Sequence, residues 1–598
     1  MRFYSLTLMV SILLILCACG SEQNTVEVVP DFGLRFEAEE VDNEGCPLAE
    51  TETSQSGYAK NQLPSDITNL NFKVYSQTGQ VLAEANVIVN STCDDPYTCV
   101  QPSSPGYKMF DIPTLQNMSL EVNAYNASNE LIWMGKTYDI DIASDQEDPQ
   151  ARPLMVDIFM HRISRLTRAF NCMGVERFMH SATVLRDGMN VLIVGGVSQI
   201  RQGACPQDVL GEANSNTCDL LIGTKLVTLY NGETGEFIEM NPINEKRAGH
   251  SAVLLKDGQV LIMGGADQLA MLHTGDGDAY IEAAPDSILA SAVIYNPTGR
   301  GAVNGSPISM GTARMTFTVT PLDTDETHFL VAGGWGEAGK HTQLQIIDYV
   351  PGKNDKPAFR VLDDVLNAGR SGHTATRVNE GQVFIYGGAA AGEPVAEVFL
   401  SETAGVEVPD DLSSKWNSLP MLSHHAAAAF GNDKKVLVTG GLKRVASGES
   451  QKISEENNVS MIFDLDNRTT ELLSDQDPRA FHTIAPLPDG SLVIAGGMYG
   501  TKLTSERLTV DLLNNETEKL ATLKDNIGAD VQLNKGRMGH TVSVLKDTSL
   551  VFIGGSYPDE SDESFPTNKS FLKSSESYLP DPNYFPAPGS ENTDTTTE

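Results

Sequence analysis

Arginine and histidine recur along this chain at a fixed offset, and both are residues that bind charged groups. The arginines are Arg177, Arg247, Arg314, Arg370, Arg479 and Arg537; three residues after that position stand His180, His250, His373, His425, His482 and His540. Two units depart: Leu422 takes the arginine position in the fifth, and Phe317 the histidine position in the third. A guanidinium offers a planar fork of donors, so a ring of these side chains could hold a carboxylate or a phosphate. A residue that returns once per structural unit is more economically a brace, hydrogen-bonded to its own unit and its neighbour. These residues are therefore at once the candidate ligand-binding set and candidate braces.

Other chemistry has less support. His273, Asp276, Asp278 and Glu282 could offer a hard cation oxygen ligands, but Asp276-Gly277-Asp278 lacks the full calcium-loop spacing. Gly-x-Ser-x-Gly, His-Glu-x-x-His and phosphate-loop patterns are absent, and no catalytic residue, metal or cofactor is expected. His424-His425 is a repeat histidine with a neighbour, and adjacent strand residues face opposite ways. Six cysteines follow the leader: Cys46, Cys93, Cys99, Cys172, Cys205 and Cys218. An even count outside the cytosol reads as disulfides. Proximity suggests Cys93–Cys99 and Cys205–Cys218, leaving Cys46 and Cys172, with the pairing open.

What must position the arginines and histidines is a repeat. Seven segments end in an apolar run and a glycine pair: VLIVGG, VLIMGG, FLVAGG, VFIYGG, VLVTGG, LVIAGG and LVFIGG, with first glycines Gly195, Gly264, Gly333, Gly387, Gly440, Gly496 and Gly554. Within a unit such as RAGHSAVLLKDGQVLIMGG the order is strand, Asp257-Gly258 turn, strand. Farther on come LVTLYN, AVIYNP, QIIDYVP, AEVFLSE, SMIFDLD, LTVDLLN and SESYLPD, each a third strand. One small sheet cannot bury both its faces, whereas radial stacking of such sheets does.

This R-x-x-H-[ST]…D-G-x-V-L-[IV]-x-G-G pattern resembles bacterial kelch-repeat proteins, from Arg177 to about Pro582. The resemblance implies an all-β chain with a seven-bladed β-propeller. Its last blade would be completed by a segment between Ile163 and Met173, because only a short polar tail follows Tyr578. Some kelch propellers are copper radical oxidases that need a Tyr–Cys link; here the propeller cysteines fall at its start and in one insertion, as disulfide candidates. Residues 163–582 are expected to form the propeller and 583–598 a disordered tail. Residues 31–162 show strand signals such as TNLNFKVYS and SLEVNAYN and are expected to form a small β-sandwich, immunoglobulin-like or transthyretin-like.

The amino terminus supplies the expected address. Arg2, an apolar run from Leu6 to Leu16, and Leu16-Cys17-Ala18-Cys19 resemble a lipoprotein signal over 1–18, with lipidation at Cys19 and a polar tether over 19–30. Export and anchoring in the cell envelope, at the outer membrane, follow as expectations. Lys plus Arg is 42 against 79 Asp plus Glu, a formal charge of −37, which argues against a nucleic-acid partner. Departures from the repeat are the better functional clue. Long insertions follow Gly196 and Gly265, on adjacent units and one face, and read as loops that bind. The expected function is therefore binding or scaffolding of a protein or glycan through that face, with membrane contact only through the lipid. The alternative is a propeller hydrolase, lyase or epimerase acting on a sugar acid at the Arg/His mouth.

Overall fold

The computed structural model describes residues 31–37, 64–89, 117–140 and 155–582, and a few isolated positions before residue 114. Within the last stretch it leaves out 205–216, 274–278, 284–286, 337–338, 353–355, 390–392, 409–415, 432, 445–452, 457–458, 474–477, 500–504, 507–508 and 558–570. The leader with Cys19, the tail 583–598, Cys93, Cys99, Cys205, Asp276 and Asp278, and the side chains of His273 and Glu282, lie outside the described residues. The chain is all-β, and its contacts divide it into two units. One holds Met1–Cys172 with Asn231–Glu236 and Ser577–Asp581; the other holds the remainder. Among the described residues no helix is long and apolar enough to cross a membrane.

The first unit is built on a six-stranded sheet. Its order is His161–Arg162, Leu131–Ile140, Met118–Tyr125, Asn69–Tyr75, Val81–Val89, Val100–Pro102. Alternation in the sequence places Leu70, Phe72 and Val74 on one face, where they pack with Val87, Val122 and Trp133. Asp31–Arg35 runs parallel to Met155–Phe159. The turn at Asn126 is held by its own side chain, whose Oδ1 accepts from the N–H groups of Ser128 and Glu130. Cys46 and Cys172 form a disulfide, the pair that proximity left over. The segment expected to pair with the end of the chain does so: Ile163 bridges Leu579, the Ser164 N–H donates to the Leu579 carbonyl (2.9 Å), and the Ser577 hydroxyl donates to the Thr167 carbonyl.

In the second unit the repeat becomes a series of small antiparallel sheets. The second of these has its strands in chain order: Ser251–Leu254, Val260–Met263, Ser291–Asn296, Ala302–Ser309. Sheets of the same order open with Ser181–Val184, Thr318–Pro321, Thr374–Asn379, Ala426–Phe430 and Thr483–Pro486, and Thr541–Val544, Leu550–Ile553 and Ser575–Tyr578 follow the same plan. The strand before each glycine pair is mostly apolar because it is central and covered on both faces; every residue of Val260–Met263 is buried. The first strand of each sheet lies beside the first strand of the next, and that of the last lies beside Ser181–Val184.

The two long insertions are not irregular loops, as the sequence suggested. Val197–Ala204 and Thr217–Gly223 form a hairpin, Gln268–His273 and Ala279–Ala283 another, and the two join edge to edge as one four-stranded sheet. Leu221 stands opposite Leu269 across the joint, and Ile200 opposite Leu221. Such cross-strand apolar pairs stabilise a sheet that neither hairpin would hold alone. Cys218 is disulfide-bonded, with its partner among the residues not described.

Candidate functional site

The repeated residues meet at the joints between sheets. The second glycine of each pair donates its N–H to the carbonyl at the arginine position of the following repeat: Gly196 to Arg247, Gly265 to Arg314, Gly334 to Arg370, Gly388 to Leu422, Gly441 to Arg479 and Gly497 to Arg537. Gly555 then donates to Arg177, which closes the cycle. A second closed cycle runs through the residue two places after each arginine position. The Gly249 N–H donates to the Met179 carbonyl, Thr316 to Gly249, Gly372 to Thr316, His424 to Gly372, Phe481 to His424, Gly539 to Phe481 and Met179 to Gly539. All seven lie at positive φ, from +49° at Thr316 to +63° at Gly372. Four of them are not glycine, so the cycle holds strained backbone in place.

Each arginine is spent inside its own sheet. Arg370 donates to Glu397 through Nε (2.8 Å) and to the carbonyls of Gly387, Val395 and Pro394; neither Arg370 nor Glu397 is exposed at all. Arg537 pairs with Glu576 at 2.6 Å, Arg479 with Asp511, and Arg177 with the Thr228 hydroxyl at 2.9 Å. Arg314 uses the Gln343 side chain, and Arg247 uses Glu245 and Ser291. Burial lowers Arg177, Arg247 and Arg314 to about 10. Sequence reading missed the third-strand partners because their types vary: Thr228, Glu397, Asp511 and Glu576 share a position, not a chemistry. A polar residue in an otherwise apolar strand was the available signal.

The histidines form a third set of contacts. The hydroxyl directly after one repeat's histidine position meets the histidine of the next: Ser181 with His250 (2.8 Å), Thr318 with His373 (3.0 Å), Thr374 with His425 (2.8 Å), Thr483 with His540 (2.8 Å) and Thr541 with His180 (3.1 Å). Where Phe317 replaces histidine, the Ser251 hydroxyl donates to its carbonyl instead. Where Ala426 replaces the hydroxyl, His482 Nε2 is buried without a hydrogen-bond partner. Burial beside the arginine of their own repeat depresses His180, His250 and His373 to about 3, burial also takes His425 to about 3, and His482 and His540 fall well below the usual range. Ala426→Thr supplies the missing partner. It is expected to stabilise by about 1 kcal/mol, read as a higher urea midpoint with an unchanged slope.

The insertion sheet covers part of this face. Val197, Leu221 and Leu269 pack with Phe178, Ala248, Ala266, Ile288, Met315 and Phe571, and the half-buried Met179 and Trp335 lie against the same cluster. Its edge strand carries polar side chains to solvent instead: Gln199, Arg201 and Gln202 are exposed. The candidate set therefore divides. The repeated arginines and histidines are buried braces, whereas the insertions present exposed polar side chains. Among the described residues no three His, Cys, Asp or Glu side chains are placed to hold a metal ion. No protein-family profile matches the chain, and no curated protein matches it.

Proposed function

We propose that this protein is a binding or scaffolding module of the cell envelope. In this reading residues 163–582 form a seven-bladed kelch-type β-propeller behind a β-sandwich, lipidation at Cys19 anchors it, and a protein or glycan docks on the glycine-pair face. The cyclic order of first strands and the two closed hydrogen-bond cycles support a ring of seven. The observation that carries the function is the joining of two insertions from adjacent repeats into one sheet outside the repeat. A repeat scaffold needs no such sheet for its own closure, and rigid scaffolds present partners with what departs from the repeat. The sugar-acid enzyme loses its anion clamp, since the repeated guanidiniums are engaged by their own sheets.

The test keeps the fold and changes the surface. A Gln199→Glu, Arg201→Glu, Gln202→Glu variant is expected to lose capture from solubilised outer-membrane proteins or an immobilised glycan array. Its melting temperature should stay put, because exposed substitutions away from special features stay within about 0.5 kcal/mol. Capture that survives this variant and fails in folded Arg247→Ala would move the site to the arginine ring and return the enzyme reading.

A further inference from the structure

The histidine–hydroxyl contact joins five of the seven neighbouring pairs of sheets, missing at Phe317 and at His482, and the imidazoles are neutral groups beside permanent cations. His180 lies beside Arg177, His250 beside Arg247, His373 and His425 beside Arg370, His482 beside Arg479 and His540 beside Arg537. Other titratable groups that face them are mostly histidines: His180 faces His250 and His540, His425 faces His373, His482 and His424, and His482 faces His540; Tyr386 also packs edge-on against His425 at 5.3 Å. The nearby carboxylates Glu245, Glu397, Asp511 and Glu576 sit on the guanidiniums. A proton added to an imidazole here gains a cation as neighbour and no counter-charge.

We propose that this ring is an acid-sensitive latch between sheets, which opens first at the joint between Ala426–Phe430 and Thr483–Pro486. That joint is the weak one because His482 lacks the hydroxyl partner that five other histidines have. The sign follows from linkage. These histidines titrate lower in the folded chain than in the unfolded one, so their stabilisation is complete above about pH 6.5 and is lost as pH falls toward the folded values.

Urea unfolding of the full chain between pH 7.5 and 5 reads this directly. Each histidine raises the unfolding constant about tenfold per pH unit below about 6.5, so the six ring histidines should steepen the logarithm of that constant by about six, to which His424 and His341, also lowered by burial, add. Asp257, Asp323 and Asp464, whose carboxyls are held below their usual range, act only at lower pH. Replacing His250 or His373 by phenylalanine, the residue the third repeat already uses, should remove about one proton each from that slope. Hydrogen exchange at pH 5.5 should quicken in 426–430 and 483–486 before the other first strands. A wild-type slope of two or less overturns the latch even if no variant folds, as does a slope that the phenylalanine variants leave unchanged. Exchange that quickens first at another joint overturns the choice of seam.

Discussion

Gly440→Ala is expected to destabilise the protein by about 2–5 kcal/mol, of which about 1–2 comes from left-handed backbone and about 1–3 from overpacking. Gly440 has φ +63°, and a Cβ there would fall well inside contact with the carbonyl oxygen of Arg479 and the ring of His482. That carbonyl cannot step aside, because it accepts the Gly441 N–H at 2.7 Å. The same collision, glycine against the next repeat's arginine-position carbonyl, recurs at Gly195, Gly264, Gly333, Gly387, Gly496 and Gly554. So the first glycine of the pair is a packing requirement between sheets, beyond its conformational use. Gly352→Ala is the control: φ is +79°, nothing lies within 4 Å of the added carbon, and only the backbone cost of about 1–2 kcal/mol applies. Urea midpoints of the two variants measure the difference. If Gly440→Ala costs no more than Gly352→Ala, the close approach does not hold the sheets together.

The same joints decide what the sequence made legible. The glycine pairs, Arg-x-x-His and the following hydroxyl all serve joints that recur identically, so their types repeat and announce themselves. Met179, Gly249, Thr316, Gly372, His424, Phe481 and Gly539 serve an equally regular hydrogen-bond cycle and went unnoticed. Their contribution is made by the backbone, so any side chain that tolerates positive φ will do, and only three of the seven are glycine. The insertion sheet was hidden for a different reason. Its strands pair across repeats, and apolar alternation in QIRQGA or DLLIG does not say which partner completes it. The reading of the arginines as braces rested on economy; the guanidinium partners give it a physical basis.

The fifth repeat offers a natural experiment on those braces. It has Leu422 where the others have arginine and Met461 where the fourth has Glu397, and both side chains are fully buried in one apolar cluster. The fifth sheet has therefore exchanged a buried ion pair for two apolar side chains. The reverse dissection is to be made in the fourth repeat. Arg370→Leu alone should cost about 3–5 kcal/mol, because Glu397 would be left charged and buried without its partner. Glu397→Met alone should cost a similar amount, with Arg370 keeping only carbonyl acceptors. Arg370→Leu with Glu397→Met should cost less than either single change, since a well-packed apolar pair replaces an ion pair at little net loss. Full recovery is not expected. Glu397 also accepts the Asn367 N–H at 2.7 Å, and losing that acceptor costs about 1–3 kcal/mol. In the fifth repeat the corresponding N–H, that of Leu419, has the Trp416 carbonyl as its acceptor instead. The expected double-mutant cycle thus has a coupling energy of several kcal/mol and a residual set by Asn367. Singles that simply add in the double variant would mean that Arg370 and Glu397 stabilise their sheet independently, and that the Leu422–Met461 exchange is a coincidence of two sites.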